Sequence, residues 1–225
     1  MKIFSNVSKG FLIASNSGLL LFVIFTIFFI PFFPIGSHKI LYSLSYTIIF
    51  LLSALALSKY RLRIFSTAAI VIIIEWISEF LNLSILINIS LVVNICYFIL
   101  IVILIIHQIA RAKTVTPQVI MESIVGYLLL GLAFSILIAF VCVMDPGAFS
   151  FKHLTEKIDP FISYASNYIY FAFVTLTTLG YGDVVPITPA AKSLSIFTSI
   201  TGQMYVAIII AALVSKYLGQ RSKAD

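Results

Sequence analysis

Apolar residues fill this chain in six long blocks, each parted from the next by a few polar residues, prolines or glycines. A helix that crosses a bilayer needs about 20 mostly apolar residues, and each block meets that length to within a turn. The pattern predicts helices from about Phe11 to Phe33 (closed by Pro31 and Pro34), Ile40 to Leu57, Leu62 to Leu81, Ile85 to Ile109, Pro117 to Val143 and Pro189 to Tyr217. Only Asn82 to Ser84 separates the third block from the fourth, so those two read as an antiparallel hairpin. Thr116-Pro117 and Thr188-Pro189 each put a hydroxyl at an N-cap and proline at the first helical position. Asp145-Pro146-Gly147 is a turn signal that ends the fifth block.

One stretch does not fit the spanning pattern. About 40 residues lie between Gly147 and Pro189. They begin polar, with Lys152, Glu156, Lys157 and Asp159, and turn apolar from Ile162 to Thr177. A helix of about 14 residues reaches only about 20 Å, too short to cross. Irregular backbone at membrane depth is tolerated only where protein buries it or a water-filled cavity meets it. The stretch therefore predicts a re-entrant loop: a helix from about Asn167 to Thr177, a glycine-rich strand, then a return.

Composition sharpens this picture. The chain is 61% hydrophobic and 10% charged, against about 25% charge in a soluble domain. The excess apolar surface needs lipid as its solvent. The net charge of +6 does not point to nucleic acid, because the basic residues sit in the short breaks between blocks. With the N-terminus inside, ten fall on the inner side (Lys2, Lys9, Lys59, Arg61, Arg63, Arg111, Lys113, Lys216, Arg221, Lys223) and four on the outer (Lys39, Lys152, Lys157, Lys192). That bias predicts cytoplasmic termini. No small-residue cleavage site follows the first block, which reads as a retained span. Cys96 and Cys142 have no metal-type or disulfide spacing, and His38, His107 and His153 lie far apart.

The candidate chemistry lies at the end of the short apolar stretch. A cation distinguished from its neighbours must shed water and meet oxygen ligands instead, and neutral backbone carbonyls hold it without trapping it. Gly180 and Gly182 accept positive φ at little cost, so successive carbonyls can turn toward one axis. Thr178 adds a hydroxyl at the inner end. Leu179 and Tyr181 turn their side chains away, and Asp183 sits just outside the glycines. The C-terminal end of the preceding helix, partly negative, favours a cation.

Residues 175–183, Thr-Leu-Thr-Thr-Leu-Gly-Tyr-Gly-Asp, resemble the signature of the potassium-channel family. The chain from Phe11 to Tyr217 resembles the six-span members of the voltage-gated-like superfamily, of the small prokaryotic type. Val125-Gly126-Tyr127-Leu128-Leu129-Leu130-Gly131, Asp145-Pro146-Gly147-Ala148-Phe149 and Gly202-Gln203-Met204-Tyr205-Val206-Ala207 look like the same group. The resemblance implies an all-α membrane protein with six transmembrane helices, a re-entrant pore helix and a tetrameric pore. Residues 1–110 would form a four-helix, voltage-sensor-like domain and residues 111–225 the pore domain. K+ would be held by Thr178, Leu179, Gly180, Tyr181 and Gly182, with Thr177, Tyr170 and Asp183 in support and no other cofactor. A ring around an ion needs four filter strands, so the partners would be three further copies and the bilayer. The prokaryotic inner (plasma) membrane is the implied location. Neither nucleic acid nor a cytoplasmic ligand-binding domain in the chain is expected.

Two departures qualify the resemblance. Tyr170 and Phe171 stand where the family often has two tryptophans, and the Tyr170 hydroxyl is placed to bond Asp183 with a different reach. The fourth block, 85–109, has no arginine, whereas a voltage sensor needs several, each worth about 2.3 kcal/mol per 100 mV. Steep voltage dependence is therefore not expected. Glu75, well inside the third block, is a candidate intramembrane acid or an interior hydrogen-bonding residue. Glu79 reads as a solvated helix end, and Glu122 as an acid suited to a helix start and placed to meet Arg111 or Lys113. Gly202 is a candidate gating hinge or a small packing residue. The alternatives are a non-selective cation channel, which more often loses the filter tyrosine, and the membrane subunit of a potassium transporter, which usually has four degenerate repeats in one chain. No nucleophile–base set suggests an enzyme.

Overall fold

Prolines and short polar breaks turn the apolar blocks into helices, and six among the described residues are long and apolar enough to cross a membrane. The computed structural model describes residues 15–57, 61–81, 83–112, 114–151 and 160–221. Lys2, Lys9, Lys59, Lys113, Lys223 and the segment 152–159, with Lys152, His153, Glu156, Lys157 and Asp159, lie outside the described residues, as do Phe11 and Asn82.

Helix α1 (Ser15–Phe32) widens to a π turn over Phe25–Phe29 and tightens to a 3-10 turn over Ile30–Phe32. Pro31 explains the irregular end: it has no N–H to continue the regular ladder. Pro34 then caps α2 (Ile35–Ala56), which starts at Ile35 rather than Ile40 and so takes His38 and Lys39 into its first turns. Helices α3 (Arg61–Leu81) and α4 (Ser84–Arg111) form the expected hairpin. Helix α4 runs past Ile109 to Arg111, a cation in the last turn that suits the helix dipole.

Helix α5 (Pro117–Met144) and helix α7 (Pro189–Arg221) start as the threonine-proline pairs predict. Thr116 Oγ1 accepts from Val119 N at 3.4 Å, and Thr188 Oγ1 accepts from Ala191 N at 3.4 Å. Asp145 closes α5 with a turn, accepting Ala148 N on its carbonyl at 2.9 Å and Gly147 N on Oδ1 at 3.1 Å.

Between α5 and α7 lies the half-length helix α6 (Pro160–Leu176). It begins at Pro160, earlier than Asn167, because proline is preorganised for the first turn of a helix. Strands β1 (Phe149–Phe151) and β2 (Val184–Pro186) pair antiparallel, Phe149 with Pro186 and Phe151 with Val184. This clip, which the hydropathy pattern does not predict, closes the outer segment on itself.

The helices pack around two apolar clusters. In the first, α2 and α4 interlock through aromatic edges: the Phe50 ring lies 4.6 Å from Tyr97 and 5.2 Å from Phe98. The second joins α5, α6 and α7 around Phe134, Tyr168, Phe171 and Leu176. Helices α4 and α5, joined by a short elbow, lie along each other and link the two clusters. Fourteen of the 28 residues of α5 are buried in the chain, but only five of the 33 in α7.

Candidate functional site

The site grows out of the end of α6. Thr178 N bonds Thr175 O at 3.0 Å and Leu179 N bonds Val174 O at 2.9 Å. This paired pattern is a Schellman C-cap, whose closing residue adopts the left-handed conformation. Glycine usually takes that place; here it is Thr178, at φ +60°. A β-branched residue there is a backbone outlier, of the kind held in place by its surroundings at functional sites.

The left-handed conformation then recurs at every second residue. Gly180 has φ +56° and Gly182 φ +75°. An ordinary strand sends its carbonyls alternately to two sides; alternating the hand of the backbone lets them share one. A Cβ at Gly180 or Gly182 would meet nothing within 4 Å. The backbone conformation, not crowding within the chain, is what requires glycine there.

Both ends of this strand are latched. At the outer end Tyr170 Oη donates to Asp183 Oδ2 at 2.6 Å, while Asp183 Oδ1 accepts Val184 N at 3.0 Å. The bond to the carboxylate pushes the Tyr170 phenol up to about 12, so it keeps its proton as a donor at neutral pH. Tyr181 stacks on Tyr170, with rings 6.5 Å apart and 6° from parallel. At the inner end Gln203 Nε2 of α7 donates to Thr178 Oγ1 at 3.4 Å. Thr177 turns its hydroxyl back onto α6, donating to Phe173 O at 2.7 Å. Leu179 and Tyr181 are exposed in the single chain, and so are the strand's inner residues.

Helices α5 and α7 hold α6 through small residues. A Cβ at Gly202 would collide with the Leu176 carbonyl, so the glycine lets α7 press on the end of α6. Helix α7 runs unbroken through Gly202. A Cβ at Gly131 would strike the Phe173 ring, and one at Gly126 the Tyr205 hydroxyl. Tyr205 Oη donates to Ser123 O at 2.8 Å and Tyr127 Oη to Leu176 O at 3.5 Å, tying α7 and α6 to α5.

The acids lie elsewhere. Glu75 is buried on α3, away from this strand, and its Oε2 has no hydrogen-bond partner. Glu79 is not a free helix end: it pairs with Lys39 at 3.3 Å and accepts from Ser43 at 3.1 Å. The early start of α2 brings that lysine within reach. Glu122 accepts from Asn16 at 2.9 Å and Gln118 at 3.2 Å, in place of an ion pair with Arg111, because α1 packs against the start of α5. Among the described residues no group of three His, Cys, Asp or Glu side chains gathers for a metal ion.

Gln203 is a site residue that sequence reasoning assigned no role. Its signal, a polar side chain just after Gly202 in an apolar helix, was present in the motif but pointed to no partner until the fold brought Thr178 to it.

Residues 138–218 match the family described as ion channel. The chain is similar to the two pore potassium channel c of Oryza sativa subsp. japonica, 48% identical over 22% of this chain and 11% of that protein. It is also similar to a voltage-gated potassium channel of Aeropyrum pernix, 39% identical over 30% of this chain and 23% of that protein. Over these stretches the chain is similar to potassium channels. An A-type voltage-gated potassium channel of Rattus norvegicus, KCND3, is 33% identical over 46% of this chain and 15% of its own length. The chain thus spans between 11% and 23% of the length of these three relatives. No solved structure matches it. As a channel relative with six apolar helices it is a multi-pass membrane protein.

Proposed function

We propose that the chain is the pore-forming subunit of a potassium-selective channel, four copies of which surround one ion path and conduct K+ passively. The alternating left-handed backbone at Thr178, Gly180 and Gly182 carries this reading. It lets a row of neutral carbonyl oxygens face one axis, the arrangement that replaces the hydration shell of K+. In this reading α6 is the pore helix, Asp183 and Tyr170 brace the outer mouth, and Thr178 closes the inner end.

The tetramer follows from what one chain leaves open. One strand forms one wall of a filter, and Leu179 and Tyr181 stand exposed beside it. Helix α7 leaves Ile196, Ile200, Met204 and Ile208 uncovered, and only five of its 33 residues are buried. Three further copies cover both. Residues 111–225 then form the pore domain and residues 1–110 a sensor-shaped bundle around it, with both termini cytoplasmic and the surrounding membrane of prokaryotic inner-membrane type. The chain acts as a conduit and performs no chemical conversion.

Helix α4 contributes no arginine before Arg111 at its last position. Each charge moved through the field supplies about 2.3 kcal/mol per 100 mV, so opening is only weakly voltage-dependent. The test is flux and reversal potential of the purified protein in liposomes with mixed K+ and Na+. A strong K+ preference that Gly180→Ala abolishes supports the proposal. Equal permeability to both ions, or a preference unchanged by that substitution, would overturn it in favour of a non-selective pore. A steep Boltzmann activation curve would overturn the reading of α4.

A further inference from the structure

A cavity lies away from the filter strand, where α2 and α4 end and α5 begins. It measures about 350 Å³, within the range of about 300–1,000 Å³ usual for small-molecule sites. Leu57 lines it from the end of α2, Leu104, His107 and Arg111 from the last turns of α4, and Gln118 and Glu122 from the first turns of α5.

Two of these side chains carry opposite charge and do not pair with each other. The ion pair found among the described residues is that of Lys39 with Glu79, and Arg111 takes part in none. Nor is Arg111 needed to cap its own helix. Ala112 N bonds Gln108 O and Ile109 O, and Lys216 Nζ of α7 donates to Ile109 O at 2.5 Å and Ala110 O at 2.9 Å. The guanidinium is exposed beside the cavity. Glu122 is only 6% exposed. Asn16 and Gln118 both donate to its Oε1, at 2.9 and 3.2 Å, and neither bond uses Oε2. Amide donors are neutral: they satisfy an oxygen and leave the charge unbalanced. A buried charge is costly without a partner of opposite sign.

The lining defines the ligand. A guanidinium fork matches a phosphate in shape and charge. The Glu122 carboxylate calls for a cationic donor. A ligand with a phosphate at one end and an ammonium at the other balances both and adds no net charge. Leu57 and Leu104 give it an apolar wall. The position identifies its source. Three spanning helices end or begin at this level, which is where a bilayer's headgroups lie. Ile103 and Ile99 stand exposed one and two turns back from His107 along α4, and residues four apart are neighbours on a helix. A hydrocarbon chain leaving the cavity along that face stays on apolar surface.

We propose that this cavity binds the headgroup of one aminophospholipid, its phosphate on Arg111 and its primary ammonium on Glu122, with an acyl chain along Ile103 and Ile99. The primary amine matters because its N–H groups can donate to a carboxylate. A choline headgroup has no N–H, and an acidic headgroup without an amine leaves Glu122 unbalanced. The site lies apart from the filter strand, so it stands or fails independently of conduction and selectivity.

The test uses the purified, delipidated full chain in detergent, titrated separately with phosphatidylethanolamine, phosphatidylcholine, phosphatidylglycerol and free phosphoethanolamine. Native mass spectrometry reads the lipid retained. Phosphatidylethanolamine should be held saturably, one molecule per chain, several-fold more tightly than the other two lipids, and free phosphoethanolamine should be held far more weakly. Glu122→Gln should erase the preference for the amine while phosphate-bearing lipids still bind. Arg111→Gln should weaken all three lipids several-fold. If Glu122→Gln does not fold, the headgroup series on wild type and the exposed Arg111→Gln carry the comparison. Equal retention of the three lipids overturns the proposal, as does tighter retention of phosphatidylglycerol, the result expected if Glu122 is protonated. Retention that neither variant changes places the lipid elsewhere and also overturns it. Free phosphoethanolamine bound as tightly as the lipid overturns the membrane as the source.

Discussion

The α5–α7 half of the chain and the α1–α4 half treat their polar groups in opposite ways. In the first, a short strand is fixed by identifiable bonds at each end, Tyr170 to Asp183 and Gln203 to Thr178, and by glycines that let neighbouring helices approach closely. In the second, aromatic edges do the packing, and three buried oxygens are left over. The difference teaches where positional accuracy is required. In the proposed pore a ring of carbonyls is useful only if each oxygen is held in place, whereas a bundle that supports it needs shape and bulk.

Substitutions that damage one half without the other would sharpen this contrast. Gly180→Ala should have the largest effect on function. A left-handed alanine costs about 1–2 kcal/mol per chain, the proposed tetramer contains four such strands, and 1.4 kcal/mol is about tenfold. Potassium selectivity should therefore be lost in reversal-potential measurements while the helices remain, as seen by circular dichroism. Phe50→Ala should do the reverse. Truncating a buried phenylalanine costs about 3–5 kcal/mol in soluble cores, and the lower end applies where lipid is the alternative solvent. The thermal midpoint should fall, with the ion selectivity of the surviving protein unchanged.

Gly202→Ala separates packing from hinging. Overpacking costs about 1–3 kcal/mol, and the added methyl would meet the Leu176 carbonyl. Lower thermal stability, together with a changed filter, would mark a packing role; a stable protein with altered open probability alone would mark a hinge. Tyr170→Phe removes the outer latch. Hydrogen bonds to charged groups contribute about 1.5–3 kcal/mol, less here because Tyr170 is 36% exposed. Conducting channels should inactivate faster, with selectivity largely kept. Gln203→Leu removes a long bond at 3.4 Å and should have the smallest effect, about 0.5 kcal/mol at most, seen as a modest change in single-channel conductance.

Much of this architecture was readable from hydropathy alone. Six spans, the threonine N-caps and the turn at Asp145 need only local information, and local chemistry decides them. The glycines at 180 and 182 were readable for the same reason, since positive φ favours one residue type. The bond between Tyr170 and Asp183 was anticipated because both sit in one short stretch. What stayed hidden depends on partners far apart in sequence. The β1–β2 clip uses two three-residue strands with no periodicity to detect. Gln203 needs Thr178, and Gly131 needs Phe173, so neither role shows until α6 is folded between α5 and α7. Lys39 reached Glu79 only because Pro34 starts α2 earlier than the apolar pattern suggests.

The β1–β2 clip has an evolutionary consequence. It fastens the end of the strand at Val184 to the top of α5 through main-chain pairing, extended by Ile187 N to Ala148 O at 2.8 Å. Main-chain bonds do not depend on which side chain a residue carries. The residues around this strand can therefore change side chain without loosening the pairing that fastens it.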